Sequence, residues 1–142
     1  MSFWDTSSIV PVCLNEPRSQ NARRLWRRFA DKWVWRETVV EIESAFARLE
    51  RENLLHSSLN ASYRKRLFRL ETDWNIIPPT DRQIELARSF PSKYRLKAMD
   101  SLQLAAALVW CNEFPKNGEF VSADTQLVKA AREVGFAVHD LS

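Results

Sequence analysis

The sequence predicts an α/β domain built on a mainly parallel sheet, and three observations predict it. Short apolar runs of strand character alternate with helical runs along all 142 residues, the pattern that builds parallel sheets covered by helices. Two of those runs end directly at an acid, Asp5 and Asp124, which places both acids at the carboxyl edge of the sheet, where open α/β folds gather their ligands. The stretch Arg95 to Cys111 carries Leu and Ala round most of a helical circumference, as expected of a helix enclosed in a small domain.

Taken in order, Ser2 to Trp4 reads as a short buried strand ending at Asp5, followed by hydroxyls at Thr6, Ser7 and Ser8 that can cap a helix or bond the acid. Pro11 follows closely enough to shorten or bend that helix. Ser19 to Ala30 is a basic amphipathic helix with Ala22, Leu25, Trp26 and Phe29 on one side, and Lys32 to Trp35 is a second strand. Thr38 is read as the cap of a helix from Val39 to Asn53 with Ile42, Phe46 and Leu49 as its apolar stripe. Glu41 and Glu43 lie on opposite flanks of that stripe, and geometry alone does not choose between them.

Leu59 to Thr72 is a charged helix. Trp74 to Ile77 is a strand closed by Pro78 and Pro79, Thr80 and Asp81 open a helix with Ile84, Leu86 and Ala87, and a loop is expected around Pro91. In the helix that follows, Leu96, Met99, Leu102, Ala106 and Val109 recur at spacings of three and four and predict its buried side. After a turn at Pro115 to Gly118 come a strand from Glu119 to Ser122, a helix from Thr125 to Val134 stopped by Gly135, and a last strand from Phe136 to Val138.

The length fits one domain, residues 1–142, enough to bury about two-thirds of the unfolded surface. With 45% hydrophobic and 27% charged residues the composition excludes a disordered chain. No uncharged apolar run reaches ~18 residues and the first residues carry no basic stretch, so a cytoplasmic protein without a membrane segment is expected. Cys13 and Cys111 are too few for a disulfide framework and, with His56 and His139, too scattered for a soft-metal site. Any metal would be bound by oxygen. Gly118 and Gly135 are the only glycines, which excludes a Gly-rich phosphate loop.

The net charge of +3 suits a polyanionic partner. Basic residues cluster at Arg23, Arg24, Arg27 and Arg28, at Arg64, Lys65, Arg66 and Arg69, and at Arg88, Lys93, Arg95 and Lys97, either as solvated helix faces or as phosphate contacts. The tryptophans near the first cluster, Trp26, Trp33 and Trp35, are read as core or interface packing before base stacking. Asp100, near the start of the apolar helix, either rests in the field of the helix amino terminus or is one ligand of a metal with acids from elsewhere in the chain.

Four segments, in order, resemble the PIN-domain ribonucleases, and within them the VapC-type toxins of bacterial and archaeal toxin–antitoxin pairs. FWDTSSIVPVCLNEP is similar to the family's first strand with its acid at Asp5, and VVEIESAFARLER to the second motif, matching at Glu41 rather than Glu43. RLKAMDSLQLAAAL resembles the third, with Asp100, and FVSADTQLVKAAREVGFAV the fourth, with Asp124. The resemblance implies a three-layer α/β/α domain with four or five strands, Mg2+ or Mn2+ as cofactor, and endonucleolytic hydrolysis of RNA to 5′-phosphate and 3′-hydroxyl ends. It also implies a VapB-like antitoxin partner and a homodimer.

On that basis Asp5 and Asp100 are the central metal ligands, Asp124 is a further ligand or an orienting group, Glu41 is a ligand that also positions water, and Thr6 and Ser7 support them. The residue types suit the chemistry. Magnesium takes oxygen ligands and keeps several waters, so one or two carboxylates per ion suffice, whereas clustered carboxylates without a cation raise one another's pKa values. A PIN-like module that binds RNA or protein without cutting is the alternative, disfavoured because binding alone has no use for four acids at one edge.

Overall fold

The computed structural model describes residues 1–142, the side chain of residue 57 apart. The elements run β1 (Ser2–Trp4), α1 (Thr6–Cys13), α2 (Ser19–Arg28), β2 (Lys32–Trp35), α3 (Thr38–Arg51), α4 (Ser57–Glu71), β3 (Asn75–Ile77), α5 (Asp81–Ala87), α6 (Phe90–Tyr94), α7 (Ala98–Trp110), a 3-10 turn (Pro115–Asn117), β4 (Glu119–Ser122), α8 (Thr125–Val134) and β5 (Ala137–Asp140). The five strands form one sheet in the order β3-β2-β1-β4-β5, and every pairing is parallel.

Strand pleating sends successive side chains to opposite faces, and here both faces are covered. Trp4, Val34 and Val121 point into one apolar cluster with Ile9, Trp26, Ile42 and Phe46 of α1, α2 and α3. Their neighbours Phe3, Trp35 and Phe120 point into the other, with Leu104, Leu108 and Leu127 of α7 and α8. This is the expected three-layer α/β/α arrangement. The tryptophans serve packing: Trp4 meets Trp26 edge-on at 4.9 Å and Trp26 meets Trp74 at 6.3 Å.

The order of strands fixes where a site can form. The chain fills one side of β1 with β2 and β3, then crosses to the other side for β4 and β5. Beyond the carboxyl ends of β1 and β4 the connections therefore diverge, one into α1 and the other into α8, and leave a crevice. Trp4 pairs with Val121, so Asp5 and the residues after Val121 reach that crevice at the same level.

Four expectations are corrected. Thr38 does not cap α3: Glu37 holds that position and Thr38 is the first helical residue, fully buried because its hydroxyl is engaged by α7. The segment around Pro91 is a one-turn helix, α6, with Pro91 in its first turn, where the missing N–H costs nothing. In α7 Met99 is 40% exposed, and the buried arc is Ser101, Gln103, Leu104, Ala105, Ala106, Ala107 and Leu108; small alanines let the helix backbone approach the sheet closely, which a count of large apolar residues does not register. The last strand starts at Ala137, and Phe136 packs under it in the second cluster.

Candidate active site

Asp5 leaves β1 at the sheet edge and caps α1. Its carboxylate accepts the backbone N–H groups of Ser7 and Ser8, both at 3.2 Å, and the Ser7 hydroxyl at 2.8 and 3.0 Å. The side chain is 3% exposed. Burial pushes its carboxyl up to about 7, against the opposing pull of the Ser7 and Ser8 hydrogen bonds. Ser7 joins two strand ends, because its Oγ also accepts the N–H of Ala123 at 2.8 Å and lies 3.2 Å from the Ser122 hydroxyl.

Asp124 does for α8 what Asp5 does for α1, accepting the Leu127 N–H at 2.8 Å. Its own N–H donates to Ser122 Oγ at 3.1 Å. Asp100 stands in the first turn of α7. Burial first, then the negative charges of Asp124 and Glu41, push its carboxyl up to about 6, with Lys97 pulling the other way.

Glu41 lies in the first turn of α3 and receives a 2.7 Å hydrogen bond from Gln103 Nε2. Burial raises its carboxyl pKa, against hydrogen bonds from Gln103 and Thr6. Glu43, the other candidate on α3, turns away and pairs with Arg64 of α4.

One cleft of about 780 Å³ is lined by Asp5, Glu41, Asp100 and Asp124, together with Thr6, Ser7 and Gln103. It continues between α1 and α3 over Val10, Pro11, Leu14 and Leu49 to the exposed Arg18, Arg48 and Arg51. The four acids thus come from four helix starts around the crevice, and each arrives with its backbone already organised by a first turn. Among the described residues, no group of three or more His, Cys, Asp or Glu side chains is close enough to hold an ion between them.

The donor set nonetheless suits a hard cation that keeps part of its water shell. Carboxyls held above their ordinary range by burial and by one another are those that a cation would stabilise in the ionised form.

The basic clusters divide. Arg23 and Arg66 are used internally, since Arg23 Nε donates to Val12 O at 3.1 Å and Arg66 Nη1 to Cys13 O at 3.0 Å, both closing the carboxyl end of α1. The sequence reading missed Arg18, Arg48 and Arg51 because each stands apart from a run of like charges. It also missed Gln103, although a polar side chain three residues after Asp100 in an apolar helix was a visible signal.

The fold is similar to that of a chain in a toxin–antitoxin complex from Klebsiella pneumoniae, at 15% identity and a TM-score of 0.66, over 100% of this chain and 98% of that one. It is similar to VapBC2 from Rickettsia felis bound to a DNA fragment from their promoter, at 10% identity and a TM-score of 0.64, over 98% and 97% of the two chains. FitAcB from Neisseria gonorrhoeae follows at 20% identity and a TM-score of 0.62, over 99% and 98%. No curated protein matches by sequence. The family model described as PIN domain matches residues 3–133, and with almost the whole length accounted for in this way, the chain belongs to the PIN-domain family.

Proposed function

We propose that the chain is a metal-dependent endoribonuclease and the toxin of a VapBC-type toxin–antitoxin pair. The observation that carries this reading is the meeting of Asp5, Glu41, Asp100 and Asp124 in one cleft of a PIN-domain chain. A Mg2+ or Mn2+ ion held by these carboxylates would supply positive charge at the phosphate and favour ionised water near neutral pH. The chain's own part is to hold the acids. Asp5 is fixed by Ser7 and Ser8, Asp124 by the first turn of α8, and Glu41 by Gln103.

Phosphates beside the scissile bond would be met by Lys97, whose charge reaches Asp100, and by Arg18, Arg48 and Arg51 at the other end of the cleft, giving binding that weakens steeply with salt. The folds of toxin–antitoxin complexes that this chain resembles support a VapB-like antitoxin as partner. The apolar floor of the cleft beside the acids suits an antitoxin segment that places an arginine among them. A homodimer and a cytoplasmic location belong to the same reading. Among the described residues no helix is long and apolar enough to cross a membrane.

The test is cleavage of a mixed structured RNA by the purified protein with Mg2+ or Mn2+, with chelator, and with the Asp100→Asn variant. Cutting that needs both metal and Asp100 is expected. A second reading, an RNA- or protein-binding module without cleavage, is favoured by the lack of a close three-carboxylate group among the described residues. Tight salt-sensitive RNA binding with no cutting by either protein would establish it instead.

A further inference from the structure

Gln103 is 1% exposed, and its Nε2 faces three acceptors from two other helices: Glu41 Oε1 at 2.7 Å, Thr38 Oγ1 at 3.0 Å and Thr6 Oγ1 at 3.2 Å. An amide nitrogen carries two hydrogens, so three acceptors compete for them, and the charged and nearest one, Glu41, takes the strongest share. The Thr6 and Thr38 hydroxyls thus hold the same nitrogen that meets Glu41. Gln103 Oε1, by contrast, is buried with no partner among the described residues.

That asymmetry decides the role. A core position needing only volume would be filled without cost by Met or Leu, and a buried acceptor left unpaired is a cost that such a residue avoids. Turning the amide over would pair nothing better and would set its oxygen against the Glu41 carboxylate. The nitrogen is therefore aimed at Glu41 by the charge it meets. Glu41 is partly exposed on a first turn, where a free Glu side chain samples many rotamers, and the hydrogen bond from Gln103 restricts that freedom.

We propose that Gln103 is a positioning residue: its amide, braced by Thr6 and Thr38, holds the Glu41 carboxylate in the rotamer that faces Asp100 and so sets how tightly the acid cluster takes a divalent cation. This rests on reading the cluster as a cation site. Residues that orient a metal ligand through one hydrogen bond commonly change metal affinity by ~10–100-fold. The effect of Gln103 must pass through Glu41.

The test is a double-mutant cycle on the full chain, with Mn2+ binding read by electron paramagnetic resonance and folding by circular dichroism and melting temperature. Gln103→Met alone is expected to weaken Mn2+ binding about 10-fold or more. In a Glu41→Gln background the same change is expected to weaken it by less than about 2-fold, because the group it positions is gone. Equal weakening in both backgrounds, or none in either, overturns the positioning role. Should Gln103→Met fail to fold, Thr6→Val removes the other brace and is held to the same two outcomes. Wild-type protein that takes up no Mn2+ overturns the cation-site reading itself, a result distinct from wild-type binding that Gln103→Met leaves untouched.

Discussion

Replacing Asp100 by Asn should stabilise the metal-free protein while abolishing its activity. The folded chain holds the Asp100 carboxyl at about 6 instead of the ordinary 3.8. At about 1.36 kcal/mol per pH unit, ionising it in the fold would cost about 3 kcal/mol. The side chain keeps access to water, which screens its neighbours, so the usable figure is nearer 1 kcal/mol. Asn keeps the size, loses the charge, and gives up at most a few tenths of a kcal/mol of interaction with the helix dipole.

The sign follows from proton binding. Between about pH 4 and pH 6 the folded protein holds the Asp100 proton more firmly than the unfolded chain does, so this group's contribution to stability falls as pH rises through that window. Wild type carries the full cost at pH 8 and only about a fifth of it at pH 4. Asp100→Asn is therefore expected to melt about 3 °C above wild type at pH 8, in chelator, and within about 1 °C of it at pH 4. Differential scanning fluorimetry across that range is the assay. A variant no more stable than wild type at pH 8, or equally favoured at both pH values, would refute the claim that burial and the charges of Asp124 and Glu41 load this carboxylate.

Glu43→Gln should leave cleavage near wild type, since Glu43 is paired with Arg64 away from the cleft, whereas Glu41→Gln should lower it by about 100-fold; single-turnover rates on one RNA decide, and the reverse order would exchange their roles. Mn2+ at about 100 times its Kd should stabilise the wild type by about 2.7 kcal/mol, reversibly with chelator, and a double Asp5→Asn, Asp100→Asn variant should show no such rise in Tm. At the opposite edge of the sheet Lys32 is 4% exposed and bonded to Asp73 at 2.8 Å. Asp73→Ala strands that ammonium and should cost about 2 kcal/mol with cleavage per folded molecule unchanged, while Lys32→Met should cost less; urea denaturation measures both.

The parts of this fold legible in the sequence are those that one segment decides alone. Phe3 and Trp4, Val34 and Trp35, and Phe120 and Val121 lie in short apolar runs of strand length that alternate with helical runs, so the parallel sheet and its covering helices could be read off. Asp5 and Asp124 were legible as edge residues because each lies within two residues of its strand's end. Glu41 against Glu43 was legible only through the family resemblance and not in the helix pattern, because the two acids differ in what stands opposite each: Gln103 for one, Arg64 for the other. Gln103 lies 62 residues from Glu41 in the chain and Arg64 lies 21 from Glu43.

The buried side of α7 was misread for the same reason, since the residue pattern favours Met99 and Leu102 while the sheet accepts the alanines. Where that arc brings Ser101 and Gln103 inward, a polar group enters a core that could have been wholly apolar. Ser101 meets its needs within its own helix, through Lys97 O at 2.9 Å. Gln103 does not, and keeps an unpaired oxygen as the condition of aiming its nitrogen at Glu41. A fold selected for stability alone would not retain that oxygen, so the place where local reasoning failed is also the place where the chain gives up stability to hold its acids in order.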